Sequence, residues 1–167
     1  DPVPLLGGVG IYLALVTTLW FSAGGLHIFF PVLIAATLIL LVGLVEDIRG
    51  LSAQVRLVFQ IAAAAIVITS GIRVSFLPNN FWGDTAEILV TGIWLVGLTS
   101  AFNYLDGLDG LAAGYAVVNL GAFSTILYAT GQWALGRVCL ILLAACLGFL
   151  PHNFKKRKIF LGETGST

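Results

Sequence analysis

The stretch HIFFPVLIAATLILLVGLV, residues 27–45, decides the fold because its nineteen residues include no Asp, Glu, Lys or Arg. A helix needs about 20 apolar residues, with a range of roughly 17–25, to cross the hydrocarbon core of a bilayer. Glu46 and Asp47 follow this stretch directly. The pattern predicts a membrane-spanning helix that ends beside a pair of carboxylates.

Five further apolar stretches of similar length extend this pattern along the chain. They occupy residues 5–24, 51–72, 86–105, 111–130 and 134–150. Lipid offers no hydrogen-bond partner for free backbone groups, and so each spanning stretch must be helical. The composition agrees, since 59% of residues are hydrophobic and 10% are charged, against about 25% charged in soluble domains. We predict an all-α, polytopic transmembrane helix bundle of about six spanning helices, in a single membrane domain over residues 1–167.

The ends of the chain and its net charge restrict the interpretation further. The chain opens on Asp1-Pro2 without an initiator Met and closes on Gly-Ser-Thr. We therefore expect an internal fragment of a longer protein. The formal net charge is zero, so the composition favours no nucleic-acid partner.

Basic residues are distributed unevenly between the two ends of the predicted helices. Six lie in or beside the loops of one side: Arg49, Arg56, Lys155, Lys156, Arg157 and Lys158. Arg73 and Arg137 lie on the opposite side. Because loops rich in Lys and Arg remain in the cytoplasm, we predict that the first side is cytoplasmic. Three polar segments that carry carboxylates lie on this side, at residues 46–52, 106–110 and 152–167.

The strongest local pattern is Asn103-Tyr-Leu-Asp106-Gly-Leu-Asp109-Gly-Leu. If the helix continues, Asn103, Asp106 and Asp109 line one face at a spacing of three residues. Two carboxylates on one helical edge suit Mg²⁺ and phosphate, because hard cations prefer oxygen ligands. A solvated helix end capped by an Asp is the alternative interpretation.

Glu46 and Asp47 form a second acidic pattern, in Gly43-Leu-Val-Glu46-Asp47-Ile-Arg49-Gly50. Adjacent carboxylates suit a pair in which one is a general base and the other stabilises charge. A solvated loop before a glycine turn is the alternative.

The C-terminal segment joins a basic run to a carboxylate flanked by glycine. Residues 155–158 read Lys-Lys-Arg-Lys, and Ile-Phe160-Leu-Gly-Glu163-Thr-Gly-Ser follows. A basic run alone indicates positive-inside topology or contact with lipid headgroups. The carboxylate and hydroxyl residues directly after it are suited to a phosphate-bearing ligand held with a metal ion.

Four motifs, in this order, resemble those of the polyprenyl-phosphate N-acetylhexosamine-1-phosphate transferases. They are Pro4-x-x-Gly7-Gly8, Gly-Leu-Val-Glu46-Asp47, Asn103-x-x-Asp106-Gly-x-Asp109-Gly-Leu, and Asn153 with Ile-Phe160-x-Gly-Glu163-Thr-Gly-Ser. The family includes enzymes that start O-antigen and teichoic-acid assembly and the phospho-N-acetylmuramoyl-pentapeptide translocase of peptidoglycan synthesis. The resemblance covers nearly the whole chain.

The resemblance implies an enzyme of roughly ten helices in the bacterial inner membrane, with its site facing the cytoplasm. Such an enzyme transfers a HexNAc 1-phosphate from a UDP-HexNAc donor to undecaprenyl phosphate and releases UMP. GlcNAc 1-phosphate is the favoured group, and phospho-MurNAc-pentapeptide is the alternative. The implied cofactor is Mg²⁺, with Mn²⁺ as a substitute, and a homodimer is left open.

The resemblance also assigns roles to individual residues. Those at catalytic positions are Glu46, Asp47, Asp106 and Asp109, the first two being associated with deprotonating or positioning the lipid phosphate. The metal-binding positions are Glu163 and Asp106. The substrate-binding positions are Arg56, which faces phosphate, Asn103, and Asn153 and Phe160, which hold and stack the uridine.

Four positions depart from the family pattern. Glu46 and Glu163 replace the usual Asp, Ser100 replaces the first Asn of Asn-x-x-Asn, and Leu5 replaces a basic or polar residue. A Glu reaches one methylene further, and a misplacement of about 1 Å can cost roughly a hundredfold in rate. A catalytically degenerate nucleotide-binding relative is therefore an alternative, as are a non-catalytic membrane scaffold and a transporter or channel.

Overall fold

The chain folds into a bundle of α-helices in a computed structural model that describes residues 7–21, 26–78, 80–106, 110–154 and 162–166. The long helices of the described residues are α1 (Gly7–Phe21), α2 (Leu26–Arg49), α3 (Ala53–Thr69), α4 (Phe81–Leu105), α5 (Leu111–Ala129) and α6 (Trp133–Phe154). A short helix, α7 (Glu163–Ser166), follows them. Within these ranges, α2, α4, α5 and α6 are long and apolar enough to cross a membrane, while α1 and α3 are apolar but shorter. The prediction of an all-α, polytopic membrane bundle is confirmed.

Three helices, α2, α4 and α6, extend beyond their predicted ends, and local chemistry accounts for where α2 ends and α4 begins. α2 continues to Arg49, so Glu46 and Asp47 lie in its last turn and not in a loop. It ends where Gly50 adopts a left-handed φ of 65°, a conformation that glycine takes without strain. α4 begins five residues before residue 86, because the Asn80 side chain accepts the Gly83 N–H at 2.7 Å and caps the helix.

α6 runs through Pro151 to Phe154, past the predicted end at residue 150. A proline removes one helical N–H, and membrane helices tolerate this where neighbouring groups satisfy the freed carbonyl. The additional turn carries Asn153 to the start of α5, where its side chain accepts a backbone hydrogen bond. The residues after the proline are therefore part of the helix and not of a loop.

The segment that joins α3 to α4 closes one end of the bundle. The buried Glu87 of α4 accepts the N–H groups of Phe76 and Leu77 at 2.8 and 2.9 Å. Arg73 forms an ion pair with Asp84 at 2.9 Å and lies 3.8 Å from Glu87. The acidic residues of this end thus hold the connecting segment against α4.

α7 packs at the opposite end, against α1, α2 and α4. This end holds the start of α1, the last turns of α2, α4 and α6, and the starts of α3 and α5. The described parts of all four sequence motifs therefore lie at one end of the bundle.

Candidate functional site

Two side chains from distant parts of the chain bind α7 through hydrogen bonds. Asp47 Oδ2 accepts the Thr164 N–H at 3.2 Å and also accepts the Thr164 hydroxyl. Asn103 Nδ2 donates to Ser166 Oγ at 3.2 Å. Thr164 is 5% exposed and Ser166 is 4% exposed, so these bonds form in a shielded environment. α7 is thereby fixed relative to the last turns of α2 and α4.

Glu46 and Asp47 face different neighbours although they are adjacent in the sequence. Glu46 Oε1 accepts from Arg56 Nη1 at 3.0 Å, and the two side chains are 10% and 21% exposed. Asp47 instead faces α7. Consecutive helical residues do not face the same side. Glu46 therefore pairs with a cation of α3, whereas Asp47 contacts the fourth motif.

Arg56, which the resemblance assigns to phosphate, donates to Glu46 in the first turns of α3. The pair brings an acidic and a basic side chain together at the end of the bundle where α7 lies. Removing one partner of a shielded ion pair costs more than the pair itself contributes, because the other charge remains desolvated. Substituting Glu46 alone or Arg56 alone is therefore expected to destabilise the charge that remains.

The acidic stripe predicted through residue 109 requires a helix that continues from Asn103 to Asp109, and residues 107–109 lie outside the described residues. α4 ends at Leu105 and α5 begins at Leu111. Asp106 caps α4 through its backbone N–H, which bonds the carbonyl groups of Phe102 and Asn103 at 3.2 and 3.3 Å. Gly110 precedes α5 with a φ of 74°, which interrupts the helical path because few residues other than glycine adopt it.

Asn153 connects the end of α6 to this break between helices. It is 6% exposed, and its Oδ1 accepts the Gly110 N–H at 2.8 Å. The bond satisfies one of the N–H groups that a helix start leaves without an intrahelical partner. Asn153 thus holds the third motif in place, and contact with uridine remains a prediction.

Several predicted site features lie outside the described residues. They are Asp109, Phe160, the basic run 155–158, Leu5 and the side chain of Glu163. The backbone of Glu163 is described and begins α7.

The side chains in and around α7 offer mainly oxygen atoms as possible metal ligands. Asp47 supplies a carboxylate, and Thr164 and Ser166 supply hydroxyl groups. Asp106 carries a further carboxylate at the end of α4, a helix that also packs against α7. Among the described residues, no three His, Cys, Asp or Glu side chains are grouped as metal ligands would be. The chemistry of these donors nevertheless fits a hard divalent cation such as Mg²⁺, which prefers oxygen and takes one or two carboxylates together with substrate phosphate.

An apolar cavity of about 450 Å³ extends from α7 into the bundle. Its walls come from α1, α2, α3, α4 and α6, and Thr164 and Gly165 lie at its α7 side. Gln60 is its most buried polar lining residue, at 4% exposed. Its Oε1 accepts the Ser100 hydroxyl at 3.3 Å, whereas Nε2 has no acceptor among the described residues. The cavity therefore combines apolar walls with one unsatisfied donor.

Sequence reasoning did not assign roles to four residues that prove important here: Gly8, Gln60, Thr164 and Ser166. Two signals in the sequence pointed to three of them. Gln60 is a polar residue within an apolar helix, and Thr164 and Ser166 alternate with glycine after a carboxylate. Ser100, noted only as a departure from the family pattern, bonds Gln60.

Comparisons with known proteins agree with this arrangement. The sequence model of glycosyl transferase family 4 matches residues 29–167. A probable undecaprenyl-phosphate N-acetylglucosaminyl 1-phosphate transferase of Bacillus subtilis (strain 168) is 32% identical over 98% of this chain and 48% of its own length. The decaprenyl-phosphate N-acetylglucosaminephosphotransferase of Mycobacterium leprae (strain TN) is 31% identical over 99% of the chain and 48% of its own length.

A third relative belongs to another branch. The phospho-N-acetylmuramoyl-pentapeptide-transferase of Staphylococcus saprophyticus (strain ATCC 15305) is 31% identical over 75% of this chain and 45% of its own length. The chain thus spans about half the length of these relatives. No solved structure gives a significant match.

The family match covers most of the chain. It includes the three motifs whose described residues, Asp47, Asn103, Thr164 and Ser166, bond one another at α7. The expectation drawn from the motifs is confirmed: the chain belongs to glycosyl transferase family 4.

Proposed function

We propose that the full-length protein transfers a HexNAc 1-phosphate, GlcNAc 1-phosphate in the first place, from a UDP-sugar to undecaprenyl phosphate. The observation that carries the proposal is the meeting of all four motifs at α7. Gly8 of the first motif lies against Gly165, Asp47 of the second bonds Thr164, and Asn103 of the third bonds Ser166. A polar site at the end of an apolar bundle is suited to a water-soluble donor and a lipid acceptor.

The reaction forms one bond and breaks one. An oxygen of the lipid phosphate bonds to the β-phosphorus of the UDP-sugar, the bond from that phosphorus to the oxygen of UMP breaks, and UMP leaves. Phosphoryl transfer needs little covalent chemistry from the protein, and its catalysis is mostly positioning and charge stabilisation. Asp47 is the carboxylate that deprotonates or positions the lipid phosphate, and Asn103 and Asn153 hold the segments around it.

Mg²⁺ is the proposed cofactor, and Mn²⁺ could replace it. Glu163 and Asp106 are the proposed ligands, because both carboxylates belong to motifs that meet at α7. When bound, the ion neutralises charge on the diphosphate of the donor.

The apolar cavity is the proposed site for the first part of the polyprenyl chain. Its volume of about 450 Å³ lies within the range of roughly 300–1,000 Å³ typical of ligand pockets. Thr164 lines the cavity and also bonds Asp47. A lipid tail in the cavity would therefore bring its phosphate close to the proposed base.

Filling this cavity should weaken use of the lipid acceptor. Ala64 of α3 is buried and lines the cavity. Ala64→Phe in the full-length protein should raise the KM for undecaprenyl phosphate about tenfold, because it occupies volume that the lipid would bury. The KM for the UDP-sugar should stay within about twofold. Initial rates at varied lipid concentration measure this.

Ala65→Phe is the matched control for the cavity variant. Ala65 follows directly in the same helix but is exposed, so its substitution should leave both KM values unchanged. Equal effects of the two substitutions, or an increase in the KM of the UDP-sugar alone for Ala64→Phe, would contradict this placement of the lipid.

The site is proposed to face the cytoplasm of a bacterium across its inner membrane. The excess of Lys and Arg that the sequence predicts for one side of the membrane supports this orientation, and Arg49 and Arg56 of that group lie at the α7 end of the bundle. Ser52, at the start of α3, and Ser75, in the segment before α4, are exposed at opposite ends of the bundle. With Cys139 and Cys146 replaced by Ala, a membrane-impermeant thiol reagent should label Ser52→Cys only from the cytoplasm and Ser75→Cys only from outside. Labelling of Ser75→Cys from the cytoplasm would reverse the assignment.

Phospho-MurNAc-pentapeptide transfer is the second candidate. The similarity to the Staphylococcus saprophyticus protein supports it, at nearly the same identity as the GlcNAc branch but over a smaller share of the chain. The two candidates differ in the donor alone, and a choice of donors separates them.

A donor panel tests the proposed function. Full-length protein in detergent receives undecaprenyl phosphate, Mg²⁺ and UDP-GlcNAc, UDP-GalNAc or UDP-MurNAc-pentapeptide, and UMP is measured. We expect UMP with UDP-GlcNAc and its loss when EDTA is added. Release from UDP-MurNAc-pentapeptide alone would favour the second candidate. An absence of UMP with every donor would favour a degenerate relative.

A further inference from the structure

Gly8 lies in direct backbone contact with α7. A Cβ atom built at Gly8 would lie 2.4 Å from both the Cα and the N of Gly165 and 2.6 Å from the carbonyl carbon of Thr164. Carbon atoms in good contact are about 3.5–4.0 Å apart. All three neighbouring atoms belong to the backbone, so no change of side-chain rotamer could make room. A side chain at position 8 would have to displace α7 or α1 by about 1 Å.

Gly10 has the opposite surroundings although it belongs to the same helix. A Cβ atom at Gly10 would have no heavy-atom neighbour within 4 Å. Both glycines lie in α1, where alanine would favour the helix more than glycine does. The helical conformation therefore does not require glycine at position 8. The close approach of α7 requires it.

α7 depends on such contacts because it is too short to be stable alone. It contains four residues, and an isolated helix shorter than roughly 12 residues is unstable in water. Its position is set by Asp47 at Thr164, by Asn103 at Ser166 and by Gly8 at Gly165. The hydrogen bonds come from two directions, α2 and α4, and the contact at Gly8 adds a third direction, from α1.

We infer that Gly8 is a positioning residue whose missing side chain lets α7 lie close enough to α1 to hold Thr164 at Asp47 and Ser166 at Asn103. It contacts no reacting atom and acts through the backbone of residues 164 and 165. The effect on turnover rests on the proposed function, whereas the effect on the position of α7 does not. Displacement of a reacting group by about 1 Å can cost roughly a hundredfold in rate.

A buried cysteine in α7 reports its position without any need for activity. Ser166 is buried, and Ser166→Cys in full-length protein with Cys139→Ala and Cys146→Ala should react slowly with a thiol reagent in membranes. Adding Gly8→Ala should raise the labelling rate about tenfold or more, because displacement of α7 breaks its shielded contacts. Adding Gly10→Ala should leave the rate unchanged. Equal labelling of these two variants would overturn the inference.

Kinetics of the same substitutions, with Ser166 retained, test the consequence for the site. Gly8→Ala should lower UMP release about a hundredfold and raise the Mg²⁺ concentration needed for half-maximal rate, and Gly10→Ala should do neither. A loss of rate without a change in the Mg²⁺ requirement would contradict a link between the position of α7 and the proposed metal ligand Glu163. If the wild-type protein released no UMP, the proposed function would fail while the labelling contrast still decided the position of α7.

Poor folding of Gly8→Ala would not remove the test. Thr164→Ala leaves Gly8 in place and removes the hydroxyl that bonds Asp47. It should also raise labelling of Ser166→Cys, since it weakens another contact of the same helix. The folded amount of each variant is measured by size-exclusion chromatography in detergent. Unchanged labelling in Thr164→Ala would show that these contacts do not set the position of α7.

Discussion

Asp47→Asn should lower UMP release by the full-length protein about a hundredfold or more, which is the usual contribution of a positioned acid or base. An asparagine keeps the size of the side chain and a carbonyl oxygen that can still accept from Thr164. It removes the negative charge and the capacity to take a proton. α7 should therefore stay in place while the chemistry is lost. Initial rates at saturating UDP-GlcNAc and undecaprenyl phosphate measure the effect.

Asp84→Asn is the matched control for this substitution. Asp84 is also a helical aspartate, but it forms its ion pair with Arg73 at the end of the bundle opposite α7. An exposed ion pair contributes about 0–1 kcal/mol, and so this variant should fold and turn over like the wild type. Near-normal activity of Asp47→Asn, or equal losses in both variants, would contradict the role given to Asp47.

Glu163→Gln should reduce Mg²⁺-dependent UMP release about a thousandfold, the upper range for loss of one electrostatic contact in an active site. Glu163 begins α7, and the contacts of Thr164 and Ser166 fix the backbone there. An amide can still offer an oxygen, but it cannot neutralise a metal ion. Titration of rate against Mg²⁺, with the folded amount measured in parallel, separates this effect from unfolding.

Glu163→Asp decides between an adapted and a degenerate site. If the pocket has adjusted to the longer side chain, the shorter aspartate should lower the rate or leave it nearly unchanged, because the oxygen moves back by one methylene. If the site has lost its geometry, the same substitution should raise the rate by orders of magnitude from a baseline close to zero. We expect the first result. The second would favour a relative that binds nucleotide without turnover.

The fold class was predictable because apolar runs of membrane length leave few alternatives to helices. The ends of the helices were less predictable. Asn80 caps the start of α4, Gly50 ends α2 with a left-handed φ, and Asn153 bonds Gly110 from the last turn of α6. These local contacts lie beyond the apolar runs. Hydropathy indicates which residues lipid surrounds. It does not indicate whether a polar turn beside such a run is helical, because that depends on local hydrogen bonds.

The sequence indicated Asp47 as a candidate carboxylate of the site, but it did not indicate which residue Asp47 contacts. Asp47 and Thr164 are 117 positions apart, and nothing in either motif indicates that they bond each other. Arg56 was expected at phosphate, and its pairing with Glu46 depends on how α3 turns back against α2. The requirement for glycine at position 8 arises only when α7 packs against α1. Such contacts follow from tertiary packing and not from local sequence.

Analysis of the lipid product tests the central claim most directly. Full-length protein is incubated with UDP-GlcNAc, undecaprenyl phosphate and Mg²⁺, and the lipid extract is examined by mass spectrometry. The proposed reaction predicts undecaprenyl diphosphate linked to N-acetylglucosamine, formed in equal amount to UMP, absent without Mg²⁺ and lowered about a hundredfold or more in Asp47→Asn. Release of UMP together with free GlcNAc 1-phosphate, and with no sugar-bearing lipid, would show a hydrolase and contradict the account.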